Sequence, residues 1–206
     1  MQSDVCQEIG EKAEDANNFG GDQQANTGAK TSMIQRPQTG EYNEFYAGYI
    51  QRVPTGSDLF ALMSSQPDAL RALLQNITDE QASVRPAPAE WSVKEVLGHI
   101  ADSERVFAYR MLRIARGDQT ALPGFDQNEF VSGTDFNRRD LDDLLDEFTY
   151  QRAANMLLIT SLTDEEIDRR GTASDNPISV RALLYILAGH VIHHIESLKT
   201  DYKVGA

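Results

Sequence analysis

The sequence predicts an all-α protein, a four-helix bundle behind a disordered N-terminal tail. Three observations carry this. Apolar residues recur at a 3.6-residue spacing in four long stretches. Alternating, strand-like patterning is almost absent. Residues 1–40 are rich in Gln, Asn, Gly, Asp and Glu and poor in large apolar residues, so burial cannot offset the entropy of ordering them. The expected division is a tail over 1–40 and one bundle domain over 41–206, long enough for a single core.

The bundle is built up in order along the chain. Tyr42, Phe45, Tyr46, Tyr49 and Ile50 fall at helical spacing and predict a short arm packed on the main domain. Val53-Pro54-Thr55-Gly56 then breaks the chain. Ser57 or Asp58 caps the first long helix, whose stripe holds Leu59, Met63, Leu70, Leu73, Leu74 and Ile77. Pro67 lies inside that stretch without interrupting the apolar phase, which predicts a kink or two collinear pieces. Thr78 to Gln81 has the spacing of a capping box and opens a short turn. Ser92 and Glu95 form a second capping box, and Trp91 and Val96 occupy the positions of a hydrophobic staple. The helix they start runs to about Arg116 and ends at Gly117-Asp118. Its inward stripe contains Val96, His99, Ser103, Val106 and Arg110, with Asp102 at the edge.

A long connection follows over Leu122 to Val131, which is either a functional loop or a plain bundle crossover. Asn137 is placed to cap a third helix, roughly Arg138 to Ser161, with Leu141, Leu144, Leu145, Phe148, Met156, Ile159 and Leu162 on its buried side. Arg152 and Asn155 fall within that side. Thr163 to Glu166 is another capping box, followed by a loop from Arg170 to Pro177. Ser179 caps the last helix, about Val180 to Tyr202, whose stripe is Leu183, Ile186, Leu187, His190, His194 and Leu198. Up-down-up-down is the default order for such a bundle, and the longer link between the second and third helices allows a crossover instead.

Charge narrows the partners. Nineteen basic against 32 acidic residues give a net charge of −13, which repels phosphate backbones and anionic lipid. No nucleic-acid or membrane partner is expected, and no apolar run approaches the roughly 18 residues of a membrane span. The first residues lack the basic and apolar regions of a signal peptide. Cys6 is the only cysteine, so no intrachain disulfide forms, and a cytoplasmic setting is expected. A small-molecule substrate is the expected partner, and a homodimer is the default assembly.

The histidines carry the chemistry. There are four, and three lie in the last helix as His190, His193 and His194. His190 and His194 are one turn apart on one face. His99 sits on the apolar stripe of another helix. Two ligands at i, i+4 and a third from a facing helix make a three-coordinate platform with open positions, as in catalytic rather than structural zinc sites. Neutral imidazole suits Zn, Ni and similar divalent ions. His193 is about 100° round the helix from His194, which predicts a supporting, interfacial or solvent-facing role. No Glu follows His190, so this is not the zincin arrangement, and any general base must come from elsewhere. Asp102, Asp126 and Glu129 are the candidates. Arg110 and Arg152 are candidate binders of a substrate or cofactor carboxylate, each weighed against a structural ion pair with a neighbour such as Glu147 or Asp102.

Two segments, Trp91-Ser92-Val93-Lys94-Glu95-Val96-Leu97-Gly98-His99-Ile100-Ala101-Asp102 and Gly189-His190-Val191-Ile192-His193-His194, resemble the signature segments of the DinB-like (damage-inducible) superfamily. The stretch from Arg110 through Arg116-Gly117-Asp118 to Pro123-Gly124-Phe125-Asp126-Gln127 resembles one branch of it. The resemblance covers residues 42 to 204. It implies a four-helix bundle holding a divalent metal on His99, His190 and His194. Because the superfamily includes bacillithiol-dependent transferases and mycothiol-dependent maleylpyruvate isomerase, it also implies a metal-dependent S-transferase using a low-molecular-weight thiol. The alternatives are a non-catalytic, stress-related metal-binding module and a metal-dependent hydrolase.

Overall fold

The computed structural model describes residues 34–205 of the chain. Cys6 and the rest of the predicted tail up to residue 33 lie outside the described residues. Residues 34–40 are packed against the domain. Tyr185 donates from its hydroxyl to the Ile34 carbonyl at 2.9 Å, and the Arg36 guanidinium donates to the carbonyls of Ile50 and Val53. One arginine thus closes the carbonyl end of a short helix, a contact that composition does not reveal.

The predicted aromatic arm is a 3-10 turn (Glu44–Tyr46) running into α1 (Ala47–Arg52). The four long helices are α2 (Leu59–Leu74), α4 (Val93–Ala115), α6 (Leu141–Ser161) and α8 (Val180–Thr200). Short helices α3 (Asp79–Ala82), α5 (Gln127–Ser132) and α7 (Asp164–Asp168) sit between them. Asp58, Ser92 and Ser179 cap as their sequence positions suggest, and all three capping boxes form. Pro67 lies within a single continuous helix. Along the inward face of α4 the buried residues include Phe107 and Glu104, while Val106 is only partly covered.

Two local expectations are corrected. Asn137 does not cap α6. Residues Phe136–Arg138 form a 3-10 turn and α6 starts at Leu141, whose backbone N–H is taken by the Asp79 carboxylate at 2.9 Å. A cap supplied from a segment some sixty residues away is invisible to local pattern. Asn137 instead accepts from the Ser92 hydroxyl at 2.7 Å. The loop at 170–177 is a hairpin, β1 (Arg170–Ala173) antiparallel to β2 (Asn176–Ser179). Its turn puts Ser174 and Asp175 both at positive φ, 51° and 61°. That is the backbone of a tight hairpin turn built without the Asn-Gly or Gly pair that normally announces one.

The bundle departs from the default order. Both α2 and α4 pack on α6 and on α8, so α2 faces α4 across one diagonal and α6 faces α8 across the other. Side-chain pairings give the directions. Arg71 near the end of α2 meets Asp142 near the start of α6, and Arg152 reaches back to the Met63 carbonyl, so these two are antiparallel. Lys94 reaches Arg139 and Glu104 reaches Arg152, so α4 and α6 run parallel. Arg169, before α8, reaches the last turn of α4, while His99 near its start meets His190 farther along α8, so those two are antiparallel. Gln66 bonds the Ala188 carbonyl at 2.7 Å in the middle of both α2 and α8. The order is up-down-down-up. Residues 116–140 must therefore return the length of α4 before α6 can begin, and this crossover passes over the histidine end of the bundle.

Two glycines let the covering segments approach. A Cβ on Gly98 would lie 2.3 Å from the Phe136 ring of the crossover, and one on Gly189 would lie 2.0 Å from the Tyr49 carbonyl oxygen of α1. Each glycine immediately precedes a metal-ligand candidate. Among the described residues, no helix is long and apolar enough to cross a membrane.

Backbone cannot yield as a side chain can, so Gly189→Ala is expected to push α1 off α8. The expected cost is about 1–3 kcal/mol in chemical denaturation, and an unchanged midpoint would show that the contact is not close-packed.

Candidate metal centre

His99 projects from α4, and His190 and His194 project from α8, where the antiparallel register of the two helices sets them level. The Nε2 of His190 lies 2.9 Å from that of His99 and 3.1 Å from that of His194. One ligand atom from each of the three falls within 4.8 Å of the others, and all three residues are buried. A neutral imidazole nitrogen either donates or accepts, so three that face one point cannot satisfy one another with good geometry. One cation would take all three lone pairs, and nitrogen–metal bonds of roughly 2.0–2.1 Å suit this spacing.

Protonation agrees. Burial, with a smaller contribution from His193, pushes His99 down to about 4. Burial and the neighbouring imidazoles hold His190 and His194 well below the ordinary value. All three are neutral ligands near pH 7.

Aromatic contacts fix the rings. Trp91, the residue before the α4 cap, packs on His99 with ring centroids 4.9 Å apart. Tyr49 packs edge-on against His190 at 5.3 Å and also touches His193 at 5.4 Å. The aromatic arm thus belongs to the site, a role its spacing alone did not announce. His193 is partly buried, and its ring meets His194 edge-on at a centroid distance of 4.8 Å. It is a neighbour of the triad and not a fourth converging ligand. Ser103 Oγ stands 3.5 Å from His99 Nδ1, where it can orient the ring.

Two cavities flank the triad. One of about 250 Å³ is walled by His99 and His190 together with Tyr46, Tyr49, Phe107 and Phe125. The other, about 290 Å³, reaches His193, His194 and Trp91. Gln127 and Asn128, in the first turn of α5, line both. The crossover therefore roofs the site. A larger groove of about 860 Å³ lies at the C-terminal end of α2, between Leu73 and Tyr202, and touches none of the histidines.

The structure separates the other candidates. Arg152 is clamped on Glu104 through two hydrogen bonds of 2.9 and 2.8 Å, and also bonds the Met63 carbonyl and the Gln66 side chain. That fork is spent in the bundle core and is not free for a substrate. Its partner is Glu104, a position that local pattern did not single out. Arg110 is equally buried but has no acidic partner among the described residues, and its Nη1 has no hydrogen bond. Asp102 pairs with Arg105 at 3.6 Å on the side of α4 near Glu147, and burial raises its carboxyl. Asp126 caps α5 through Oδ1 and lines the 250 Å³ cavity, whereas Glu129 is exposed and lines neither cavity.

A roofed, buried three-imidazole centre in a helical bundle defines a class of metal-site proteins. The sequence profile of the DinB superfamily matches residues 62–198, and the chain belongs to that family. Among curated relatives, a protein of Bacillus licheniformis is 28% identical over 149 residues, covering 68% of this chain and 81% of its own. One of Geobacillus thermodenitrificans is 27% identical over 149 residues, covering 69% and 82%. Both are named "Putative metal-dependent hydrolase". In fold, the chain is similar to YfiT of Bacillus subtilis, at a TM-score of 0.62 and 19% identity over 83% of this chain and 95% of that one. YfiT is described as a probable metal-dependent hydrolase with an unusual four-helix bundle topology.

The depressed imidazoles make stability pH-dependent in the metal-free protein. An unfolded chain takes up protons as pH falls through the ordinary imidazole value of 6.5, while folded His99 resists until about 4. The unfolded state binds more protons in that window, so stability falls as pH drops from 6.5 towards 4. Thermal unfolding of chelator-treated protein should show this slope, and His99→Gln should flatten it.

Proposed function

We propose that the protein is a metal-dependent enzyme acting on a small molecule, with His99, His190 and His194 holding a divalent ion. The observation that carries the reading is the convergence of three buried, neutral imidazoles on a point that opens into a cavity. A structural site would be closed, whereas three ligands leave positions free. Bound there, a divalent ion supplies Lewis acidity and lowers the pKa of a water or thiol that it binds.

The protein's own groups do the rest. His190 and His194 present a fixed pair from one helix, and Trp91 and Tyr49 hold the rings against rotation. Tyr46, Phe107 and Phe125 exclude water and offer an apolar wall to a substrate. Asp126 is the one of the three candidate carboxylates that lines the same cavity as His99 and His190, and its Oδ1 is held by the α5 cap. It is the group placed to accept a proton from an attacking water. This favours hydrolysis, and the names of the relatives support it. Thiol-dependent S-transfer is the second reading, favoured by the Arg110 guanidinium behind the cavity wall, which has no acidic partner among the described residues and suits a thiol carrying carboxylates.

The test is a panel of esters, amides and electrophiles on metal-loaded protein, with and without added low-molecular-weight thiol. Turnover without thiol identifies a hydrolase and turnover only with thiol a transferase. Either should be abolished by His99→Ala, and the hydrolase activity should fall about 10²–10⁴-fold in Asp126→Asn. No turnover under any condition, with metal bound, would leave a metal-binding module without catalysis.

A further inference from the structure

Arg110 and Arg152 are the two most buried arginines of the bundle, at 2% and 1% exposure, and they are treated oppositely. Arg152 has Glu104. Among the described residues Arg110 has only neutral contacts: its Nη2 donates to the Pro123 carbonyl at 2.7 Å and to Ser174 Oγ at 3.1 Å, and its guanidinium carbon lies 5.7 Å from the centre of the Phe125 ring. Its Nη1 has no partner. Arginine stays protonated even when buried, and a buried charge without a counter-ion is among the costlier features a core can hold.

Where this charge sits gives it a use. Ser174 and Phe125 both line the cavity that His99 and His190 open into, so the guanidinium stands one side chain behind its wall. Ser174 accepts from Arg110 through Oγ, which turns its own hydroxyl hydrogen away from the arginine. The hydroxyl donates no hydrogen bond of its own among the described residues, and it is half-buried at the cavity wall. The hydroxyl is held by the hairpin turn, where Ser174 has φ 51°. Along α4, Arg110 continues the row His99, Ser103 and Phe107 and lies eleven residues from His99, or roughly 16 Å of helix. The metal centre and this charge therefore mark two ends of one chamber.

We infer that Ser174, polarised by Arg110, is an anion-recognition element, and that the substrate carries a carboxylate at the end remote from the atoms that react at the histidines. The carboxylate accepts from the Ser174 hydroxyl and supplies the counter-ion that Arg110 lacks. Asp126 stands in the same cavity wall, but it is exposed, its Oδ1 is held by two backbone N–H groups of α5, and among the described residues it forms no ion pair with Arg110. The inference rests on the cavity being the substrate chamber, and it does not depend on which reaction occurs there.

Binding calorimetry on the metal-loaded protein tests it, with 3-phenylpropionate as probe and its isosteric amide as the uncharged control. The carboxylate should bind about tenfold or more tightly than the amide, the size of one charge-assisted hydrogen bond. Arg110→Gln and Ser174→Gly should each remove that preference while metal content stays at the wild-type value. Glycine is chosen because the positive φ of position 174 favours it, so the hydroxyl is deleted without strain. Should Arg110→Gln fail to fold, Ser174→Gly alone decides. Equal binding of acid and amide overturns the inference. So does a preference that survives in both variants, since that would be direct ligation of the acid by the metal. Tighter binding of inorganic phosphate than of the carboxylate also overturns it. Binding is read without turnover, so an inactive protein that passes refutes the proposed catalysis and not this element, and an active protein that fails refutes only this element.

Discussion

The antiparallel contact between α4 and α8 is what the rest of the molecule depends on. It brings His99 level with His190 and His194, and it does so with three residues that a core would otherwise fill with aliphatic side chains. Buried neutral imidazoles that face one another contribute little packing and leave lone pairs opposed. The surrounding structure has to hold them there. Tyr49 and Trp91 brace the rings, Gly98 and Gly189 admit the segments that carry Phe136 and Tyr49, and the crossover roofs the site. The up-down-down-up order follows from the same need, because two parallel neighbours, α4 and α6, can be joined only by a chain that travels back across that end.

The bundle handles its buried charges in two ways. Arg152 and Glu104 form a closed pair that ties α6 to α4 and, through Gln66 and the Met63 carbonyl, to α2. Such a pair adds specificity of arrangement more than net stability. It lines neither of the two cavities at the triad. Arg110 is left open behind the cavity wall. Stability alone would pair or remove that charge, so its neighbourhood reads as one shaped by a ligand.

Most of the helical framework was readable in the sequence because local rules govern it. The capping boxes at Thr78, Ser92 and Thr163, the Asp58 and Ser179 caps and the apolar stripes all act within a turn or two of themselves. The triad was readable for the same reason, since i, i+4 spacing fixes a shared face and His99 lay on an apolar stripe. What escaped was set by distant partners. Asp79 caps α6 from another segment, Glu104 looks like a surface glutamate until Arg152 is placed beside it, and Tyr49 joins the site only because α1 docks on Gly189. The Ser174-Asp175 turn escaped because two non-glycine residues occupy left-handed backbone that pattern reasoning assigns to Gly or Asn. The order of helices around the bundle depends on all these tertiary contacts at once.

The central claim is that three imidazoles, and no other side chains, hold one divalent ion. Elemental analysis with X-ray absorption at the metal edge tests it directly on wild-type protein and on the His99→Ala/His190→Ala/His194→Ala variant. The account predicts one ion per chain, a first shell containing three imidazole nitrogens, and loss of the ion in the variant. Retention of metal by the variant, or a first shell without imidazole, would contradict it.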